Sequence, residues 1–169
     1  GGYRRYYKPQ VQFFFDGYQP FTPLPLTQAA GLLEWSLNWI LANNAHQYLI
    51  IHGSLLEKDG QCLLMPGAPG SGKSTLCAAL ACSGWRLFSD ELALLSLTDG
   101  LMYPVPRPVS LKNQSIDIIK NFAPNAIFGP VISATSKGDI AHMQVPQTSI
   151  TLQHLPAPPA LLLFPHYQA

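Results

Sequence analysis

The stretch Gly67–Thr75, GAPGSGKST, constrains this chain more than any other. It satisfies the pattern G-x-x-x-x-G-K-[ST], in which successive backbone N–H groups turn inward around a phosphate. Side chains would block that approach. Gly67, Gly70 and Gly72 leave it open, and Ala68, Pro69 and Ser71 fill the loop between them. A helix starting here aims its unpaired N–H groups and its positive end at the same anion. Lys73 then reaches the β- and γ-phosphates, Ser74 offers a hydroxyl to magnesium, and Thr75 completes the motif. The expected ligands are a purine nucleoside triphosphate, taken as ATP, and Mg2+. The bland alternative is a glycine-rich turn with Lys73 in solvent.

The surrounding residues argue against that alternative. Tyr48–Met65 is the most strand-like region, with Asp59-Gly60 between two apolar runs, a strong hairpin signal. The second run feeds straight into the loop. A helix follows over about Lys73–Cys82, and Gly84 ends it. WRLFSDE reads as a buried strand, and LALLSL-TDG-LMYPVP as a second hairpin. Arg107–Asn113 is extended behind two prolines, and Ser115–Asn121 is a short helix candidate. From Phe122 to Val145 the signals weaken. Before the first hairpin, residues 3–26 read as extended chain, with a strand at Val11–Phe15 and a turn at Asp16-Gly17. Thr27 is placed to cap a helix over about Gln28–Asn43. Its apolar face is expected at Ala30, Leu33, Leu37, Ile40 and Leu41, with Trp35 and Trp39 beside it. The run from Leu161 predicts a core strand with more chain following.

A triphosphate site needs a second element to hold the metal and aim the nucleophile. Asp90 and Glu91 supply carboxylates where the LFSDE strand ends. In an open parallel sheet the carboxyl ends of strands line the ligand crevice. One helix plus one strand separates Lys73 from Asp90, as a βαβ unit requires. Ser74, Asp90 and Glu91 are the candidate magnesium ligands. His52, in the apolar run IIHGSLL, reads on pattern alone as a satisfied core histidine. Arg107 and Lys112 are candidate cations for the moving phosphoryl group, since charge builds on its oxygens during transfer. The other histidines show no metal spacing.

Bulk properties narrow the setting. Apolar residues make up 47% of the 169, enough for one core, while only 11% are charged. A net charge of +1 points to neither nucleic acid nor an anionic membrane. The cluster Arg4, Arg5 and Lys8 is too short to change that. Three cysteines, Cys62, Cys77 and Cys82, fit no metal site or disulfide framework, and the expected setting is reducing and cytoplasmic. The longest apolar region is broken by Glu34, Ser36 and Asn38 and does not span a bilayer.

The residues HGSLLEKDGQCLLMPGAPGSGKSTLCAALACSGWRLFSDE resemble the core of HPr kinase/phosphorylase. With LEWSLNWIL, SDELALL, RPVSLKN and KGDIAHM added, the chain is more similar still to the HprK-related kinase A proteins. The resemblance implies a single α/β domain over residues 1–169 with residues 1–26 packed on it as an extended segment. That domain is a P-loop kinase core of the HPr kinase / phosphoenolpyruvate carboxykinase type, a mixed sheet with flanking helices and β-hairpins. It implies ATP-dependent phosphorylation of a serine hydroxyl on a protein or peptide. It assigns His52 a place near the phosphates and Asp90 the role of general base, beside the Lys73 of the loop and the Arg107 or Lys112 read above as cations for the transferring group. Glu91 stands where HPr kinases carry a second aspartate. Their glycine-rich phosphorolysis segment and N-terminal domain have no match here, so the reverse reaction and HPr as substrate are not implied. Homo-oligomerisation stays open. The rival readings are a nucleotide-binding regulatory module with little or no kinase activity and a small-molecule kinase.

Overall fold

The computed structural model describes residues 7–135 and 138–167. Arg4, Arg5 and the first residue of KGDIAHM, Lys137, lie outside them. The chain divides after His46 into two compact units.

In the first unit β1 (Gln10–Val11) pairs antiparallel with β2 (Leu24–Pro25). The expected strand at Val11–Phe15 is therefore much shorter, and the proline-rich connector supplies its partner. The Asp16-Gly17 turn forms as expected. Both residues take positive φ, and Phe15 and Tyr18 exchange backbone hydrogen bonds across it. A 3-10 turn over Leu26–Gln28 leads into α1 (Ala29–Asn44). Thr27 lies inside that turn and its side chain caps nothing. The expected apolar face of α1 is also displaced. Leu33 is 61% exposed, and the buried positions are Leu32 and Ser36. Spacing puts Trp39 on the same face as these two. The rings of Phe13, Phe15, Tyr18 and Phe21 gather around Trp39 at 5.9–6.5 Å, and this aromatic packing sets the helix rotation.

The second unit is mixed α/β, a mixed sheet with flanking helices. The long strand β3 (Tyr48–Lys58) turns at Asp59-Gly60, both at positive φ, into β4 (Gln61–Pro66). The loop follows, then α2 (Lys73–Cys82), then β5 (Arg86–Ser89), β6 (Leu92–Ser96) and β7 (Met102–Tyr103). β4 lies along one edge of β3, and β5 and β6 together lie along the other. Both pairings are antiparallel, so β4 and β5 run parallel with β3 between them. The β4–α2–β5 crossover is thus the expected unit with one strand inserted. β6 and β7 form the expected second hairpin.

β11 (Pro159–Leu162) adds in parallel to the free side of β4. It was expected as a core strand, but it is an edge strand and all four of its residues are exposed. β8 (Val109–Lys112), α3 (Gln114–Phe122), β9 (Ile132–Thr135), β10 (Gly138–Met143) and α4 (Gln147–Thr151) complete the unit. β10 sits between β8 and β9 in a second, antiparallel sheet. The weak signals after Phe122 concealed β9 and β10.

Strand alternation splits the core in two. Leu56, Leu63, Met65 and Leu87 pack with Cys77, Ala78 and Ala81 of α2 and with residues of β8, α3 and β10. Leu55, Cys62, Leu64, Phe88 and Ala93 form the second cluster on the other face, with Met102 and Ala157. Among the described residues no helix is long and apolar enough to cross a membrane.

Candidate phosphate-binding site

The loop has the conformation its glycines allow. Gly70 and Gly72 take φ of 84° and 90°, where a side chain would strain the backbone. Gly72 caps α2, and the first helical bond runs from Leu76 N–H to the Gly72 carbonyl. The N–H groups of Lys73, Ser74 and Thr75 therefore have no acceptor within the helix. Ala68, Pro69 and Gly70 are exposed at the loop's tip. Lys73 is 92% buried, since only 8% of it is accessible, and its Nζ donates to the Gly67 and Ala68 carbonyls at 2.6 and 3.0 Å. The buried Ser71 Oγ has no hydrogen-bond partner. Tyr167 packs its Cβ beside Gly72, 3.4 Å from where a side chain there would begin.

Asp90 follows Ser89, the last residue of β5, and so stands at that strand's carboxyl end as expected. β5 and β6 run on along β3, interrupted only at Asp90–Glu91. The pairings Leu55↔Ser89 and His52↔Leu92 share one register, so Ser54 faces Asp90 and Gly53 faces Glu91. The Gly53 N–H donates to the Glu91 carbonyl at 3.0 Å. Just before, Leu56 pairs with Leu87 and Leu55 with Ser89, leaving Phe88 as an extra residue. This bulge reverses the alternation. Without it Asp90 would share the face of Phe88 in the second cluster. With it Asp90 joins Ser54 and Leu56 on the α2 face, and alternation from Ala93 puts Glu91 on the opposite one.

Asp90 is 7% exposed, and its Oδ1 accepts from Ser54 Oγ at 2.9 Å. Oδ2 is buried and has no hydrogen-bond partner. Burial pushes the carboxyl from 3.8 up to about 6. The hydroxyls of Ser54 and Ser74 oppose that rise, Glu91 adds to it, and the Ser110 backbone N–H opposes it. Neither Ser74 nor Ser110 closes a hydrogen bond on Oδ2. Cys77, one helical turn after Ser74, lies against the same carboxylate. Its thiol is pushed well above its ordinary value by burial and then by Asp90, and stays neutral.

The structure thus brings Ser74 and Cys77 of α2 against Asp90, while Lys73 turns its Nζ to the loop carbonyls. His52 is exposed, so the core-histidine reading is corrected; alternation puts it on the Ser54 face of β3. Arg107 is half-buried, three residues before Ser110, and Lys112 is exposed at the end of β8. Sequence reasoning missed Ser54 and Gly53. The signal was a glycine and a serine in mid-strand, where glycine marks close backbone approach. A Cβ on Gly53 would meet the Met65 carbonyl at 2.8 Å.

Among the described residues no group of three or more His, Cys, Asp or Glu could hold a metal ion. The Ser74 hydroxyl, in the first turn of α2, is an oxygen donor that fits a hard divalent cation taking its remaining ligands from phosphates and water.

Residues 31–110, a little under half of the chain, match the family model described as SynChlorMet cassette protein ScmC. The matched span contains the loop, Ser54 and Asp90. It is not an HPr kinase family, and this finding overturns the resemblance to HPr kinase/phosphorylase and to the HprK-related kinase A proteins. No curated protein matches the chain.

Proposed function

We propose that this chain is an ATP-dependent phosphotransferase, built on a P-loop kinase core, that moves the γ-phosphate to a serine hydroxyl of a protein or peptide. One observation carries the reading. A buried carboxylate with a free oxygen, Asp90, lies against the helix that opens the phosphate loop. A loop alone supports binding. A loop with a base of pKa about 6 beside it supports proton removal from an acceptor at neutral pH.

In this reading Lys73 exchanges its bonds to the Gly67 and Ala68 carbonyls for the β- and γ-phosphate oxygens. The free N–H groups at the start of α2 hold the same phosphates. Ser74 would hold Mg2+, which takes its other ligands from phosphates and water and when bound neutralises phosphate charge. Asp90 Oδ2 takes the serine proton as the new O–P bond forms and the bond to the β-phosphate oxygen breaks, leaving ADP. Arg107 would steady the moving group.

The test is transfer of labelled γ-phosphate into serine peptides, starting with those encoded beside this gene. Wild type is expected to label an acceptor at serine. Asp90→Asn is expected to bind ATP and transfer at least a hundredfold more slowly, the lower range for loss of a general base. ATP binding with no hydroxyl acceptor labelled, by wild type or variant, sinks the kinase reading in favour of a regulatory nucleotide-binding module.

A further inference from the structure

Ser54 is wholly buried in a strand segment whose neighbours are Leu55 and Leu56. A hydroxyl buried among apolar side chains is unfavourable unless it is hydrogen-bonded. A serine has one proton to donate; both oxygens within its reach belong to Asp90, and the Cys77 thiol lies beside it. Ser54 Oγ lies 2.9 Å from Asp90 Oδ1 and 3.2 Å from the Asp90 carbonyl oxygen. The shared register makes this a cross-strand pair, so both backbones are held by the sheet on either side. The next residue back, Gly53, is pressed against β4 where that strand enters the phosphate loop.

The consequence concerns the two carboxylate oxygens. Rotation about the last torsion of an aspartate is soft and nearly two-fold. With no bond to either oxygen, the carboxylate would sample orientations in which neither faces an acceptor. Ser54 occupies Oδ1 and leaves Oδ2, the oxygen without a partner, to present. We infer that Ser54 is a positioning residue for Asp90, locking the carboxylate so that Oδ2 alone is offered to the acceptor hydroxyl. This rests on Asp90 being the base, as proposed above. In this assignment Ser54 acts only through Asp90.

The experiment uses the full chain with Ser54→Ala and Ser54→Cys, the second keeping the volume while weakening the donor. Each is also made in the Asp90→Asn background. Three quantities are read: the Kd for Mg·ATP, kcat for transfer to a serine peptide, and the 13C shift of the Asp90 carboxyl at fixed pH 8. That resonance is assigned by its loss in Asp90→Asn. Both Ser54 variants are expected to keep Kd within about twofold and lose about tenfold to a hundredfold in kcat, a part of what a general base contributes. They are expected to move the carboxyl resonance and to add no loss on top of Asp90→Asn.

An unmoved resonance overturns the inference whatever the kinetics show. Equal kcat losses with and without the Asp90 carboxylate overturn it too, because Ser54 would then be only a packing residue. A resonance that moves in a protein whose wild type labels no acceptor defeats the kinase reading instead, and leaves the Ser54 hold on Asp90 standing.

Discussion

Asp90 is held at a cost that pH reveals. Its ordinary pKa is 3.8 and its folded value is about 6. Between those values the folded protein keeps a proton that the unfolded chain has lost. Stability therefore falls as pH rises through this window, and the penalty is complete above about 6. The shift corresponds to at most about 3 kcal/mol. Asp90→Asn is expected to melt above wild type at pH 8 and level with it near pH 4, by thermal unfolding at the two pH values. Transfer is expected to show the opposite profile, with kcat/KM rising through about pH 6 as the base ionises. Gly53 makes a separate prediction. A methyl group there would sit 2.8 Å from the Met65 carbonyl oxygen, so Gly53→Ala should lower stability by about 1–3 kcal/mol in urea unfolding.

At the scale of the element, β5 does two jobs. Its bulge at Phe88 decides which of two adjacent acids meets the phosphate loop. Its first residue, Arg86, ties the strand to the segment after α4. Arg86 Nε meets Glu57 Oε2 at 2.5 Å, and Nη1 donates to the Leu152 and Leu155 carbonyls at 2.8 Å each. The guanidinium also lies 4.5 Å from the centre of the Phe88 ring. Arg86 and Glu57 are only 11% and 12% exposed, so losing one strands the other. Arg86→Ala is expected to cost about 2–4 kcal/mol in chemical denaturation. Faster hydrogen exchange around residues 152–155 should accompany it. α1 carries the other element-scale lesson. Periodicity found the helix but chose the wrong face, because Trp39 answers to rings far from it in sequence rather than to its own stripe.

At the scale of the whole molecule, both hydrophobic clusters belong to the unit after His46. A chain beginning at Gln47 is expected to unfold cooperatively by circular dichroism; a broad, non-cooperative melt would show that the first unit is required. The sequence alone was enough for the elements whose cause is local. The turns at Asp16-Gly17 and Asp59-Gly60, the phosphate loop and the start of α2 all follow from which residues tolerate positive φ and which cap a helix. It also marked Lys73, Ser74 and Asp90 as candidates. Tertiary structure alone decided how Ser74 meets Asp90. A one-residue bulge reverses every side chain beyond it, so no local pattern separates Asp90 from Glu91. Ser54 became part of the site only when β3 lay beside the β5–β6 stretch, and the hydrogen bond that singles out one oxygen of Asp90 joins residues 36 positions apart.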